Sequence, residues 1–136
     1  NDPDYFPVTI PTIPQVRMTR RLAGAFELNI TDDHKYFPDS IGLTGNWHKR
    51  GPVYEIPFGC LYGEKIGNLI TAGRCISVTE PMWDITRVIP TCAVTGQAAG
   101  TAASLLETAF KDINIEFLQN KLTEQKVKLH IEPSEN

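Results

Sequence analysis

The segment PTCAVTGQAAGTAASLL, Pro90 to Leu106, constrains the fold of this chain more than any other. It has the length and composition of a helix, with Pro90 suited to the first turn and Thr91 able to cap. Yet Gly96 and Gly100 stand in its interior, and each glycine costs a helix about 1 kcal/mol relative to alanine. Gly96, Gly100 and Ser104 recur at helical spacing and share one stripe, flanked by Ala93 and Ala103. Such a stripe lets another backbone, or a flat ligand, come unusually close. Val94, Ala98, Leu105 and Ala109 lie on the other side, where a core can cover them. A membrane pairing helix of the GxxxG kind does not fit, because Thr91, Thr95 and Gln97 interrupt a segment already too short. The pattern leaves two readings open: close helix-on-sheet packing, or a crevice where the free N–H groups of a helix start meet a ligand.

Around this segment the chain reads as α/β. RRLAGAFELN (20–29) alternates well enough for a strand, through Leu22, Ala23, Phe26 and Leu28. Thr31-Asp32-Asp33 follows as a turn or short-helix start, and FPDSIG with LTGNWHKRGP (37–52) reads as loop from its Pro, Gly and Asn content. VYEIPF (53–58) is a second strand, with Pro57 marking an edge or a bulge. NLITAGR (68–74) is a short apolar run ending in glycine, the pattern of a buried strand whose end opens a ligand crevice. TEPMWDITRVIP (79–90) reads as an irregular connection. IEFLQNKLTEQ (115–125) is an amphipathic helix on Ile115, Leu118 and Leu122. Residues 1–16, with Pro3, Pro7, Pro11 and Pro14, predict an extended lead-in. Residues 126–136 predict a frayed tail.

Composition narrows the function classes. With 136 residues the chain can bury one ordinary core. A net charge of −3 gives no electrostatic case for nucleic acid or an anionic membrane. The basic clusters Arg17/Arg20/Arg21 and Lys49/Arg50 are short and read as solvated surface. No stretch approaches the ~18 apolar residues of a membrane span. Cys60, Cys75 and Cys92 form no CxxC pair, and His34, His48 and His130 do not join them at zinc spacing, so no metal site is expected. Scattered single cysteines suit reduced thiols and lean towards a cytoplasmic setting. Cys75 and Cys92 read as small buried fillers, and Trp47 and Trp83 as packing residues.

Taken together, NLITAGRCIS, TRVIPTC and GQAAGTAASL resemble the C-terminal part of a family of FAD-dependent oxidoreductases. RRLAGAFELN, FPDSIG and YEIPFGCL resemble further blocks of that family in the same order, so the likeness spans roughly 18–125. It implies a flavoprotein fold resembling glutathione reductase: substrate-domain strands over 18–60, a returning part of the FAD domain over 61–110, and a C-terminal helix over 111–125. It also implies that Gly73 and Arg74 lie beside the ribityl-pyrophosphate of FAD. Arg87, Val88, Thr91, Cys92 and Ala93 would approach the flavin ring, and Gly96 would allow close backbone approach. The GxGxxG fingerprint of the nucleotide-binding half does not occur in these residues. The resemblance therefore implies a C-terminal fragment, inactive alone, whose partners are the missing N-terminal FAD-binding half, a small-molecule substrate and, through the exposed helix face, other copies of itself.

The substrate side is less defined. Where relatives carry a D-I-H-D-P type loop, this chain has Asn46-Trp47-His48-Lys49, which makes His48 a candidate acid/base group, with Tyr54 and Arg21 as candidate substrate contacts. Each also has a structural reading, as a surface histidine and two ordinary strand residues. A different class, a non-catalytic binding module that retains the fold without the cofactor, is the alternative. A polysaccharide-lyase activity lacks any supporting constellation of Tyr, His and Arg or of paired carboxylates.

Overall fold

Val53–Pro57 (β2) pairs antiparallel with Ser40–Gly45 (β1) in the computed structural model, which describes residues 18–132. The register sets Leu43 opposite Glu55 and Thr44 opposite Tyr54, with an irregularity between Ser40 and Leu43. Three helices follow, Glu80–Thr86 (α1), Ile89–Ser104 (α2) and Ile115–Glu124 (α3). The fold is mixed α/β, with the long small-residue helix and the C-terminal amphipathic helix both present. Helix α2 lies across β1, the turn at 73–75 and α3. The core gathers Leu28, Ile41, Ile56, Phe58, Met82 and Leu118, with neighbours of the same kind, at 0–1% exposure.

Gly42 explains how α2 comes so near the sheet. Its φ is +148°, and a Cβ there would meet Val94 Cγ1 of α2 at 2.4 Å. Close helix-on-sheet packing, one of the two readings of the small-residue segment, thus occurs through a strand glycine and not through Gly96 or Gly100. The helix turns Thr91, Thr95, Ala98, Ala99 and Ala102 inward. Ala93, Gly96, Gly100, Ala103 and Ser104 are exposed.

Several elements differ from the sequence reading. Residues 20–29 run extended with Leu22, Gly24, Phe26 and Leu28 turned inward, while Ala23 is exposed. They form no strand, because their N–H groups divide among separate acceptors. Leu22 and Leu28 donate to Cys75 and Ser77 carbonyls, Ala25 and Phe26 to those of Tyr62 and Gly59. The apolar run 68–74 is not a buried strand either. One bridge joins Ile70 to Tyr62, Leu69 is 44% exposed, and Gly73, at φ +68°, turns the chain into a 3-10 turn over Gly73–Cys75. Residues 40–45, read as loop, are β1, since cover by α2 and pairing with β2 outweigh the turn-forming content. The supposed irregular connection contains α1, whose first turn holds Pro81 as a starter rather than a breaker.

The C-terminal segment is packed as far as it is described. Asn114 caps α3 by accepting from the Phe117 N–H at 3.0 Å. At the other end Lys126 takes φ +69°, and the N–H groups of Lys126 and Val127 donate to the Thr123 and Leu122 carbonyls. This paired closure is a Schellman motif, and it sends the chain back over the core. Val127 and Leu129 pack there, and the Leu129 carbonyl accepts from Ser40 Oγ at 2.5 Å. The expected lead-in over 1–16 lies outside the described residues.

Of the three free cysteines, Cys60 is buried, Cys92 half-buried and Cys75 exposed, so Cys75 is not a buried filler. Burial pushes the Cys60 thiol far above the usual cysteine range. A thiol-specific chromogenic reagent should therefore label Cys75 in the folded chain and Cys60 only on unfolding. Equal labelling rates would overturn this packing assignment.

Candidate functional site

Two neighbouring features meet at the start of α2. The first is the turn at Gly73. Its N–H donates to Thr95 Oγ1 at 2.9 Å, and that hydroxyl donates to the Thr91 carbonyl at 2.9 Å. Thr91 Oγ1 lies 2.6 Å from Thr44 Oγ1 on β1. These buried hydroxyls tie turn, helix and strand together, so the helix start is held from two sides. Cys92 Sγ would touch a Cβ at Gly73 at 3.5 Å. Burial raises the Cys92 thiol, while the charge of Arg74 works against that rise. The Arg74 carbonyl accepts from Trp83 Nε1 at 2.6 Å, and the Arg21 guanidinium sits 5.3 Å over the Trp83 ring.

The second feature is a shallow groove of about 310 Å³, walled by residues 43–47 on one side and by Val88, Pro90 and Thr91 on the other. None of these residues is charged. No side chain caps α2 at Val88, and Ile89 is 86% exposed. Pro90 has no N–H and the Cys92 N–H donates to the Val88 carbonyl at 3.0 Å, so the Ile89 and Thr91 N–H groups, partly positive by the helix dipole, are left to a ligand, to solvent or to another surface.

Next to the wall residues Trp47 and Val88 stands a cluster assembled from two distant stretches. His48 Nε2 lies 2.5 Å from Asp84 Oδ2. Arg87 donates to Asp84 Oδ1 from Nε at 2.8 Å and from Nη2 at 2.6 Å. Trp47 Nε1 donates to the Asp84 carbonyl at 2.9 Å, and the Trp47 and His48 rings stack at 3.7 Å. The hydrogen bond from His48, and next those from Arg87, hold the Asp84 carboxyl below the usual carboxylate range. Trp47 is 52% exposed, so it is a surface residue rather than a packing one.

The structure thus brings Gly73, Arg74 and Cys92 together at the turn, and sets Val88 and Thr91 in the groove wall, with Arg87 and His48 each next in sequence to a wall residue, Val88 and Trp47. Ala93 and Gly96 lie on the exposed face of α2. Tyr54 is 1% exposed, and its hydroxyl donates to the Ile30 carbonyl at 3.3 Å. Arg21 pairs with Glu27 at 3.6 Å. Asp84, Thr44 and Thr95 escaped the sequence reading. For Asp84 a signal existed, since Asp84 and Arg87 fall three apart on a helix, but only once α1 is recognised.

The sequence model of a family described as FAD dependent oxidoreductase matches residues 3–122. The chain belongs to that family. Searches of the curated proteins and of the solved structures gave no significant match. As a member of the FAD-dependent oxidoreductases, the chain is related to enzymes whose redox chemistry rests on bound FAD. Among its described residues no group of three or more His, Cys, Asp or Glu side chains could hold a metal ion. No helix among them is long and apolar enough to cross a membrane.

Proposed function

We propose that this chain is the C-terminal part of a larger FAD-dependent oxidoreductase, and that it presents the start of α2 to the flavin. The observation that carries this is the outer face of α2. Ala93, Gly96, Gly100 and Ala103 are exposed there, and a Cβ at Gly96 or Gly100 would meet nothing within 4 Å. Glycine inside a helix is destabilising, and packing among the described residues gives no reason for either one. A surface or ligand outside the described residues does.

The residues present fit one end of the cofactor. An uncapped helix start beside an uncharged groove suits the electron-rich edge of a flavin ring, where the dipole and the N–H groups favour negative charge. Thr91, Cys92 and Ala93 with Arg87 and Val88 would hold that edge, and Gly73 and Arg74 would lie along the ribityl-pyrophosphate. When bound, the flavin supplies the two-electron chemistry. The nucleotide-binding unit lacks a counterpart: the described sheet has two antiparallel strands, and no GxGxxG occurs in the sequence. The missing FAD-binding half would bring it, and the 136-residue chain alone would be inactive. A small-molecule substrate would enter beside the groove, and isolated chains would self-associate through the α2 face. Three free thiols suit a reducing compartment such as the cytoplasm.

Gly96 tests the reading in two settings. In the isolated chain Gly96→Ala should raise stability by about 0.5–1 kcal/mol, because the new methyl meets open space. In the full-length protein Gly96→Leu should lower the ratio of flavin absorbance to protein. An unchanged ratio would count against close cofactor approach. A colourless full-length protein that takes up no added FAD would favour the non-catalytic binding module.

A further inference from the structure

We propose that His48, oriented by Asp84, is the proton acceptor of this site and acts on the hydroxyl of a neutral substrate lodged in the groove. This rests on the flavoenzyme reading above, and the geometry of the cluster supports it. His48 Nε2 faces Asp84 Oδ2 at 2.5 Å, while Nδ1 has no partner among the described residues. The imidazole is fixed in three ways: by that bond, by its stack on Trp47, and by the His48 main-chain N–H donating to Asn46 Oδ1 at 2.9 Å. Asp84 is itself fixed by Arg87, which covers its other oxygen. A carboxylate facing Nε2 selects the ring form that carries hydrogen on Nε2, and leaves the Nδ1 lone pair bare. With the ring half exposed, that lone pair is open to a ligand.

The proton transfer balances within the cluster. The substrate O–H bond breaks and an Nδ1–H bond forms, with the imidazolium charge offset by the Asp84 carboxylate beside it; the electron pair left on oxygen would complete a C=O bond as the carbinol hydrogen leaves with its two electrons, for which bound flavin would be the acceptor. Asp84 is a positioning residue in this scheme, since it reaches the substrate only through His48. The substrate class follows from the walls. Residues 43–47, Val88, Pro90 and Thr91 carry no charge. Arg87, next to the wall residue Val88, is already paired with Asp84. The walls themselves offer a phosphate or carboxylate no charged partner, whereas a neutral alcohol meets apolar walls and the Thr44, Asn46 and Thr91 side chains.

The test has one arm that needs no flavin. In the 136-residue chain, nitrogen-15 NMR of the His48 ring, identified by its disappearance in His48→Gln, should show the neutral ring protonated on Nε2. Asp84→Ala should abolish that preference. A ring protonated on Nδ1 in the wild type, or one indifferent to Asp84→Ala, would overturn the dyad. In the flavin-loaded full-length protein, a panel of primary and secondary alcohols and polyols is scored by anaerobic bleaching of the flavin absorbance. His48→Gln should slow bleaching by about 100-fold or more at unchanged flavin content. Equal rates in variant and wild type, or no bleaching by any alcohol, would overturn the proposal. If the full-length protein binds no flavin, the flavoenzyme reading falls instead, and the NMR result alone decides the dyad.

Discussion

Glu55→Ala is expected to lower the unfolding free energy of the chain by about 3–5 kcal/mol. Glu55 stands on β2 at 2% exposure. Its Oε2 accepts from the Phe37 N–H at 2.8 Å and lies 2.9 Å from His130 Nδ1, while Oε1 accepts from the Ile131 N–H at 3.1 Å. One carboxylate thus ties together the segment before β1, the strand β2 and the returning C-terminal stretch. Truncation to alanine leaves the buried Phe37 N–H without its acceptor and opens space beneath the tail. Because whole domains are stable by only about 5–15 kcal/mol, the loss should be visible as a drop of roughly 10–20 °C in Tm. Urea titration gives the free energy, and hydrogen exchange should show the Phe37 and Ile131 amides losing protection together. Glu55→Gln keeps one acceptor oxygen and should cost less. A loss below about 1 kcal/mol for the alanine variant would show that the network is not part of the folded state's stability.

The second large effect is Gly42→Ala, at about 2–4 kcal/mol. Two terms act together. The φ of +148° belongs to glycine, and a methyl placed there falls 2.4 Å from Val94 Cγ1. Val94 is β-branched on a helix, so its χ1 is stiff and the methyl cannot readily swing away. Introducing the same change into Val94→Ala separates the terms. The cost there should shrink by the steric part and keep the backbone part. If Gly42→Ala costs the same in both backgrounds, contact between β1 and α2 does not set the requirement for glycine.

Both variants act on the scaffold that carries the groove. Gly42 fixes how near α2 lies to β1, and the Thr44–Thr91 hydroxyl contact stands one strand position beyond Leu43. Thr91 and Thr95 in turn reach the Gly73 turn. A loosened strand–helix contact should therefore disturb the groove, whose walls come from the end of β1 and the start of α2.

The sequence by itself determined the elements whose signal is local. The amphipathic spacing of Ile115, Leu118 and Leu122 specifies α3, and the composition of 90–106 specifies α2, because helical periodicity is read within a few turns of chain. The alternation in 20–29 determined which side chains face inward, but not whether a ladder forms. That depends on acceptors supplied from residues 59–62 and 75–77, far along the chain. The same limit hid β1, whose turn-forming residues become a strand only under α2 and beside β2, since strand pairing is decided by non-local contacts. Family membership was legible because several blocks recur in order, and no single block had to carry it.

The candidate site divides in the same way. Gly73, Thr91 and Cys92 were legible as a glycine-ended run followed by a helix start. The His48–Asp84–Arg87 cluster was not, because its members lie 36 residues apart and meet only when the 46–50 loop folds onto α1. Nor could the sequence say which glycines serve the chain's own packing. Gly42, unremarked in a stretch read as loop, is in contact with α2, whereas Gly96 and Gly100 face open space. A residue's type fixes what its backbone and side chain are able to do. Only the tertiary structure decides which neighbour it does it against.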